Sequence, residues 1–182
     1  MARLPYLDVT DLAPADRDLL ARPIALAKAL VNSPKAARAF LGLGGYIRHG
    51  SKLDPRLREL AILQVGWLAR SPYEWSHHVK LGIDFGVSEQ DVRGLIDDTA
   101  GRPSELDPVA KLVLKAARQM TAEGAMDAPT FAALRAELGD EGVLDLTLAI
   151  GFYNAVVRVL ATLEIDVEPE YMPYLERFPL PE

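Results

Sequence analysis

The sequence predicts an all-α protein, a bundle of about seven or eight helices. Apolar residues recur at helical spacing along most of the chain. Serine or aspartate followed by proline, which is typical of helix starts, occurs several times. No segment alternates between apolar and polar residues as an amphipathic strand does. The 182 residues, 49% hydrophobic and 25% charged, have the composition of an ordinary globular domain.

We predict one domain over residues 1–182, with three parts. Residues 1–14 contain Pro5 and Pro14 and are expected to form an irregular arm. The helical core is expected at about 15–165, and a proline-rich tail at 163–182. The predicted helices span 16–31, 34–49, 55–69, 72–86, a short stretch after Ser88, 108–122, 127–139 and 141–162.

Three features of these helices matter for the fold. The helix predicted over 34–49 starts at Ser33-Pro34. The glycines at 42, 44 and 45 indicate a kink or a close approach in that helix. The helix that opens at Asp54-Pro55 is apolar nearly all round, so it is expected to be buried. Asp107-Pro108 opens another long apolar helix, and this weak echo leaves open a fold of two related helical halves.

Composition excludes several functions. The net charge of -6 argues against partners such as nucleic acid or an anionic membrane surface. There is no cysteine, which excludes disulfides, thiolate nucleophiles and Cys-ligated metals. The N-terminal residues lack a signal-peptide pattern and no apolar run reaches the length of a membrane span, so a cytoplasmic location is expected.

A possible acid/base set lies in the second quarter of the chain. Glu59 is placed in the buried helix, where an unpaired carboxylate would cost several kcal/mol. The next helix carries Ser71, Glu74 and His78 at spacings of three and four, so the three share one face. His77 is the immediate neighbour, and Tyr73 and Trp75 flank the group. Carboxylates beside an imidazole can move protons near neutral pH.

Two segments carry a family resemblance, LDPRLRELAILQVGWLARSPYEWSHHVKLGIDFGVSEQDV and YNAVVRVLATLEIDV. They resemble the carboxymuconolactone decarboxylase-like family, which includes alkylhydroperoxidase D (AhpD), over about residues 40–165. The resemblance implies an AhpD-like helical bundle and a homo-oligomer, whether dimer, trimer or hexamer.

The resemblance also implies which chemistry is absent. The peroxidase branch of the family has a glutamate, a Cys-x-x-Cys pair and a histidine, which match Glu59, Ser71 with Glu74, and His78. Without thiols, peroxide reduction through a sulfenate is closed. The decarboxylase branch uses a histidine for proton transfer without a cofactor. The glutamate and histidine positions, kept without the thiols, imply His78, Glu59 and Glu74 as catalytic residues and no cofactor or metal.

Each candidate has a structural alternative. Ser71 and Glu74 fit a capping box, and Glu59 could pair with an arginine at 56, 58 or 158. His78 could form an internal hydrogen bond or a subunit contact, and either His77 or His78 could face a pocket. Glu74 and His78 with His49 could instead bind a metal. The proposed substrate-binding residues are Ser71, Tyr73, Trp75, His77, Asn154 and Arg158.

The sequence leaves three functions open. The first is a cofactor-free decarboxylase, isomerase or lyase that acts on a small-molecule substrate, an organic acid or lactone, by His/Glu proton transfer. The second is a non-catalytic small-molecule-binding or structural oligomer. The third is an alkylhydroperoxidase activity, which the lack of cysteine disfavours.

Overall fold

The computed structural model describes residues 2–181, which form eight α-helices and no strand. The all-α prediction is therefore confirmed. The helices are α1 (Ala25–Leu30), α2 (Pro34–Gly45), α3 (Pro55–Leu68), α4 (Pro72–Asp84), α5 (Glu89–Thr99), α6 (Pro108–Ala122), α7 (Ala128–Leu163) and α8 (Met172–Arg177).

The predicted continuous helix over 16–31 is wrong. The chain forms a 3₁₀ helix at Pro14–Leu20, breaks, and starts again as α1. Pro23 causes the break, because it has no N–H to donate and it disfavours helical geometry at Arg22. The bend places the 3₁₀ helix against α2, where its leucines join a small second core.

The chain changes from α to π geometry after the three glycines near the end of α2. Residues Tyr46–Gly50 form a π-helical turn, a local distortion that is frequent at functional sites. At Gly44 a Cβ would lie 3.5 Å from the Phe152 ring of α7. The predicted close approach at the glycines is thus a contact between α2 and α7.

Helix α3 is the centre of the bundle, and it packs on α4, α6 and α7. Leu60, Ala61 and Leu63 have no exposed surface, as predicted for a helix that is apolar all round. Asp54 caps the helix by accepting a hydrogen bond of 3.0 Å from the backbone N–H of Leu57. Helix α3 therefore carries Glu59 into the interior.

Helix α7 is two helices that meet at Gly139, whose φ of 71° and ψ of 178° are not helical. The two helices predicted at 127–139 and 141–162 correspond to its two parts. Within residues 2–181, α7 is the one helix long and apolar enough to cross a membrane. A core helix of a soluble protein has the same length and composition, so this is weak evidence for a span.

The tail folds back onto its own chain. It forms a 3₁₀ turn at Pro169–Tyr171 and then α8, which packs on α4. The Trp75 indole N–H donates a 2.7 Å hydrogen bond to the carbonyl oxygen of Phe178. The N-terminal arm meets the tail as well, since the N–H of Arg3 donates to the carbonyl oxygen of Leu163 at 2.8 Å. The tail thus packs on the core of its own chain.

Candidate functional site

A cavity of about 540 Å³ opens beside α4. Its walls come from the 3₁₀ helix Pro14–Leu20, from α1, from α2 with the π-helical turn, and from the second part of α7. The size is in the range of small-molecule sites. The lining residues used below are Phe40, Arg48, Tyr73, Glu74, His77, His78, Phe152 and Tyr153.

His78 lies between two carboxylates at the wall of this cavity. Its Nδ1 is 2.6 Å from Glu59 Oε2, and its Nε2 is 2.9 Å from Glu74 Oε1. All three residues are buried: 4% of the surface of His78, 1% of Glu59 and 3% of Glu74 is exposed. The structure thus brings together the three residues predicted as catalytic.

Glu59 lies behind His78, away from the cavity lining, and a cation holds its other oxygen. The Nε and one terminal nitrogen of Arg58 lie 3.1 Å and 3.0 Å from Glu59 Oε1. Of the three arginines considered as partners, Arg58 is the one that pairs with this carboxylate. The ion pair fixes Glu59 and thereby the orientation of the His78 ring.

His78 and Glu59 have shifted pKa values that favour their charged forms. Burial alone would lower the pKa of His78, but the carboxylates of Glu74 and Glu59 raise it to about 9. Burial alone would raise the pKa of Glu59, but His78 and Arg58 hold it below its usual value. At neutral pH His78 is therefore an imidazolium and Glu59 a carboxylate.

Glu74 takes part both in the start of α4 and in the contact with His78. Its backbone N–H donates a long bond of 3.4 Å to the Ser71 hydroxyl, which is half of the predicted capping box. The other half is missing, because the Glu74 side chain turns to His78 instead. Its buried Oε1 contacts His78 Nε2 but makes no properly oriented hydrogen bond within residues 2–181. Glu74 is also one of the residues that line the cavity.

His77 is placed differently from His78. Its ring is stacked between Tyr73 and Tyr171, with centroids 4.0 Å and 3.5 Å away. Its Nε2 is 2.8 Å from Glu168 Oε2. Burial lowers the pKa of His77, so the neutral ring donates its Nε2–H to Glu168. Both histidines reach the cavity, but only His78 carries a charge.

Four of the residues proposed for substrate binding do not line the cavity. Trp75 is fully buried against the tail, as described above. Asn154 donates to the Thr121 hydroxyl at 2.9 Å, and the exposed Arg158 contacts Asn154 rather than Glu59. Ser71 also lies outside the lining and acts as the N-cap of α4. Tyr73 and His77 do contribute to the walls.

Sequence reasoning missed several residues of the site. Tyr153 meets the edge of the His78 ring at 5.0 Å, and burial raises its pKa. It belongs to the second family-like segment, so this residue could have been found. Arg48 and Glu168 had no such signal, since one depends on the π-helical turn and the other on how the tail folds.

The described residues offer no set of ligands for the metal site considered as an alternative. His49 lines the cavity at an exposed position of the π-helical turn. Among residues 2–181, no group of three or more histidine or acidic side chains is arranged to hold a metal ion. The carboxylates of Glu59 and Glu74 instead contact the two ring nitrogens of His78.

Solved structures with the same fold include peroxidase-related proteins. An AhpD-core, uncharacterized peroxidase-related protein from Ralstonia eutropha superposes with a TM-score of 0.77 at 18% identity, over 96% of this chain and 95% of that chain. A protein of unknown function from Agrobacterium tumefaciens, described as an AhpD-type antioxidant defence protein, gives 0.65 at 26%, over 76% and 94%. A cysteine-to-alanine variant of the debrominase Bmp8, solved with 2,3,4-tribromopyrrole, gives 0.79 at 17%, over 97% of each chain.

Fold and site together define a cysteine-free protein with an AhpD-like fold. Residues 34–119 match the model of the carboxymuconolactone decarboxylase family. A comparison with curated proteins by sequence found no significant match.

Proposed function

We propose that this protein is a cofactor-free lyase or isomerase that transfers protons on a small organic acid or lactone. The observation that carries the proposal is the His78 ring, held between two buried carboxylates at the wall of a cavity. A buried acid/base set with shifted pKa values in a cleft is a frequent property of catalytic sites.

The three residues would have different roles. Glu74 is the carboxylate that faces the cavity, and it would accept a proton from an acidic C–H of the substrate. The His78 imidazolium would donate its Nε2 proton, for example to the carbanion that remains when a β-keto acid loses carbon dioxide. Glu59 stays charged throughout and stabilises the imidazolium, while Arg58 holds Glu59. The protonation states at neutral pH fit these roles.

The alternative of a non-catalytic binding or structural oligomer predicts a filled site with every polar group bonded. The cavity beside His78 favours the enzyme instead. Peroxide reduction by the thiol route is excluded by the absence of cysteine. We also propose a cytoplasmic location and a homo-oligomer.

Turnover of a panel of lactones and β-keto acids tests the proposal. We expect wild-type activity on at least one compound and a loss of roughly 100-fold or more in His78→Gln and Glu74→Gln, the usual contribution of acid/base residues. Lys80→Gln on the same helix is the control, because Lys80 is paired with Asp84 outside the cavity. Circular dichroism checks that each variant is folded.

Equal rates in wild type and His78→Gln would contradict the proposed roles. The absence of both turnover and ligand binding would favour the structural alternative. Peroxide consumption with a dithiol reductant is expected to be zero, and a positive result would mean that the thiol argument is wrong.

A further inference from the structure

Arg48 is a cation that faces the cavity without an anionic partner. It lies half-buried on the π-helical turn. Among residues 2–181, no carboxylate forms an ion pair with its guanidinium. Arg38 at the same cavity is different, since Asp18 and Asp16 hold it at 2.7 Å and 3.2 Å. A partly desolvated, unpaired arginine in a cavity fits an anionic ligand.

The backbone at Arg48 is fixed by the catalytic set. Arg58, which holds Glu59, also donates a 3.2 Å hydrogen bond to the carbonyl oxygen of Arg48. The π-helical turn is further tied to α7, because the hydroxyls of Tyr46 and Ser51 donate to the buried Asp145 at 2.9 Å and 2.6 Å. The position of the Arg48 backbone relative to His78 is therefore set by two independent sets of contacts.

Tyr153 connects the cation to the acid/base set. Its side chain interacts with Arg48, which opposes the rise of the Tyr153 pKa that burial causes. The same ring meets His78 edge-on at 5.0 Å. A ligand group bound by Arg48 and the Tyr153 hydroxyl would consequently lie one aromatic ring away from the proton-transfer residues.

Several aromatic side chains contribute to the walls of the cavity. Phe40 and Phe152 pack together with centroids 4.7 Å apart, and Phe152 meets Tyr153 at 5.5 Å. Tyr73 and His77 supply further ring surface to the lining. Aromatic walls favour flat, conjugated ligands over compact aliphatic ones of equal charge.

We propose that Arg48, assisted by Tyr153, binds the carboxylate of a planar, conjugated monocarboxylic acid. The ring or conjugated part of this acid would lie against Phe40 and Phe152, with its acidic proton towards Glu74. One carboxylate is specified because a second one at the other end would meet the Glu74 carboxylate. The inference rests on the proposed function for its choice of site, but carboxylate binding is measurable without turnover.

Isothermal titration calorimetry with benzoate, benzamide and acetate tests the inference. We expect wild type to bind benzoate at least 10-fold more tightly than benzamide, which has no charge, and than acetate, which has no ring. Arg48→Gln should weaken benzoate binding about 10-fold or more, as the loss of a charge-assisted bidentate contact does. The benzoate affinity of Arg48→Lys should lie between those of wild type and Arg48→Gln, because lysine keeps the charge without the planar geometry.

Arg38→Gln is the matched control, since its charge is already neutralised by two aspartates, and we expect less than a threefold change. Benzoate affinity unaffected by Arg48→Gln in a folded variant would overturn the inference, as would equal binding of benzoate and benzamide or no binding of benzoate by wild type. Arg48-dependent binding without turnover of any compound would keep the inference and reject the proposed function.

Discussion

His77 and His78 are adjacent in sequence but have different electrostatic environments. His78 touches two carboxylates at 2.6 Å and 2.9 Å and is charged. His77 is sandwiched between two tyrosine rings and contacts one carboxylate. Adjacent residues on a helix point about 100° apart, so each ring reaches a different set of neighbours. This difference makes the charge of His78 measurable against an internal reference.

The stability of the protein should depend on the charge of His78. Its pKa is raised from 6.5 to about 9 by folding, so its contribution is complete below the unfolded pKa and is lost as the pH rises through 9. We expect the unfolding free energy of wild type to fall by about 3 kcal/mol between pH 6.5 and 9.5. Urea denaturation at several pH values measures this.

His78→Gln should show a much smaller decrease over the same pH range. The groups that face His78 are Glu59 and Glu74, which titrate well below this range in the unfolded chain, and Tyr153, whose pKa is raised further. NMR titration of the His78 ring in wild type gives the same information without a variant. A ring that titrates near 6.5 would show that the two carboxylates do not stabilise the cation.

The sequence predicted Glu59, Glu74 and His78 as one set because helical spacing and the buried position of α3 constrain all three. It did not predict Arg48, since the register of a π-helical turn depends on contacts with α7 and Arg58 that are distant in sequence. The roles of Asn154 and Arg158 were uncertain for the same reason. Spacing places residues on a helix face but does not determine which other helix that face meets.

At the scale of elements, the tail forms part of the support for the site. Glu168 accepts three hydrogen bonds, from the Ala25 N–H at 2.7 Å, from His77 at 2.8 Å and from the Tyr73 hydroxyl at 3.3 Å. It therefore joins the tail, α1 and α4 at one carboxylate. These bonds to His77 and the backbone N–H lower the pKa of Glu168 to about 2, against the opposing effect of burial.

Removing this carboxylate should destabilise the fold. Glu168→Ala leaves three donors without an acceptor, and we expect the unfolding free energy to decrease by about 1–3 kcal/mol at pH 7. Glu170→Ala, two residues further on and exposed, is the matched control and should change it by less than about 0.5 kcal/mol. Urea denaturation compares the two, and equal effects would mean that the tail is not anchored through Glu168.

Helix starts were the most predictable elements, because a capping side chain and a proline act locally. Asp54, Asp107 and Asp127 each accept the expected hydrogen bond from the third residue of their helix. Ser33 takes the predicted N-cap position, but its side chain makes no capping bond. Tertiary packing decided the rest: no helix was predicted in the proline-rich tail, yet it forms α8 where it packs on α4.

For the molecule as a whole, several large apolar side chains stay exposed. Leu144 and Leu148 lie four residues apart on one face of α7 and are 56% and 38% exposed. Tyr46, 42% exposed, is bonded through its hydroxyl to the neighbouring Asp145. Exposed apolar surface of this kind is typical of subunit interfaces, which supports the proposed homo-oligomer.

Light scattering on the purified protein tests this assembly. We expect the mass of wild type to be at least twice the 19.9 kDa of one chain. The double variant Leu144→Lys, Leu148→Lys should have a smaller mass with unchanged circular dichroism. Ile83→Lys, which alters an exposed apolar residue of α4 instead, is the control and should keep the wild-type mass. A monomeric wild type would contradict the proposal, and an unchanged mass in the double variant would place the interface elsewhere.

Because carboxylates rather than thiols flank His78, the site should resist oxidation by peroxide. Enzymes that depend on a reactive sulfur are inactivated when peroxide converts it to a sulfinic or sulfonic acid. Aspartate, glutamate, histidine and arginine side chains do not follow that series of reactions, and this chain has no cysteine to begin it. The site should therefore keep its ligand affinity after exposure to hydrogen peroxide at doses that silence thiol-dependent enzymes.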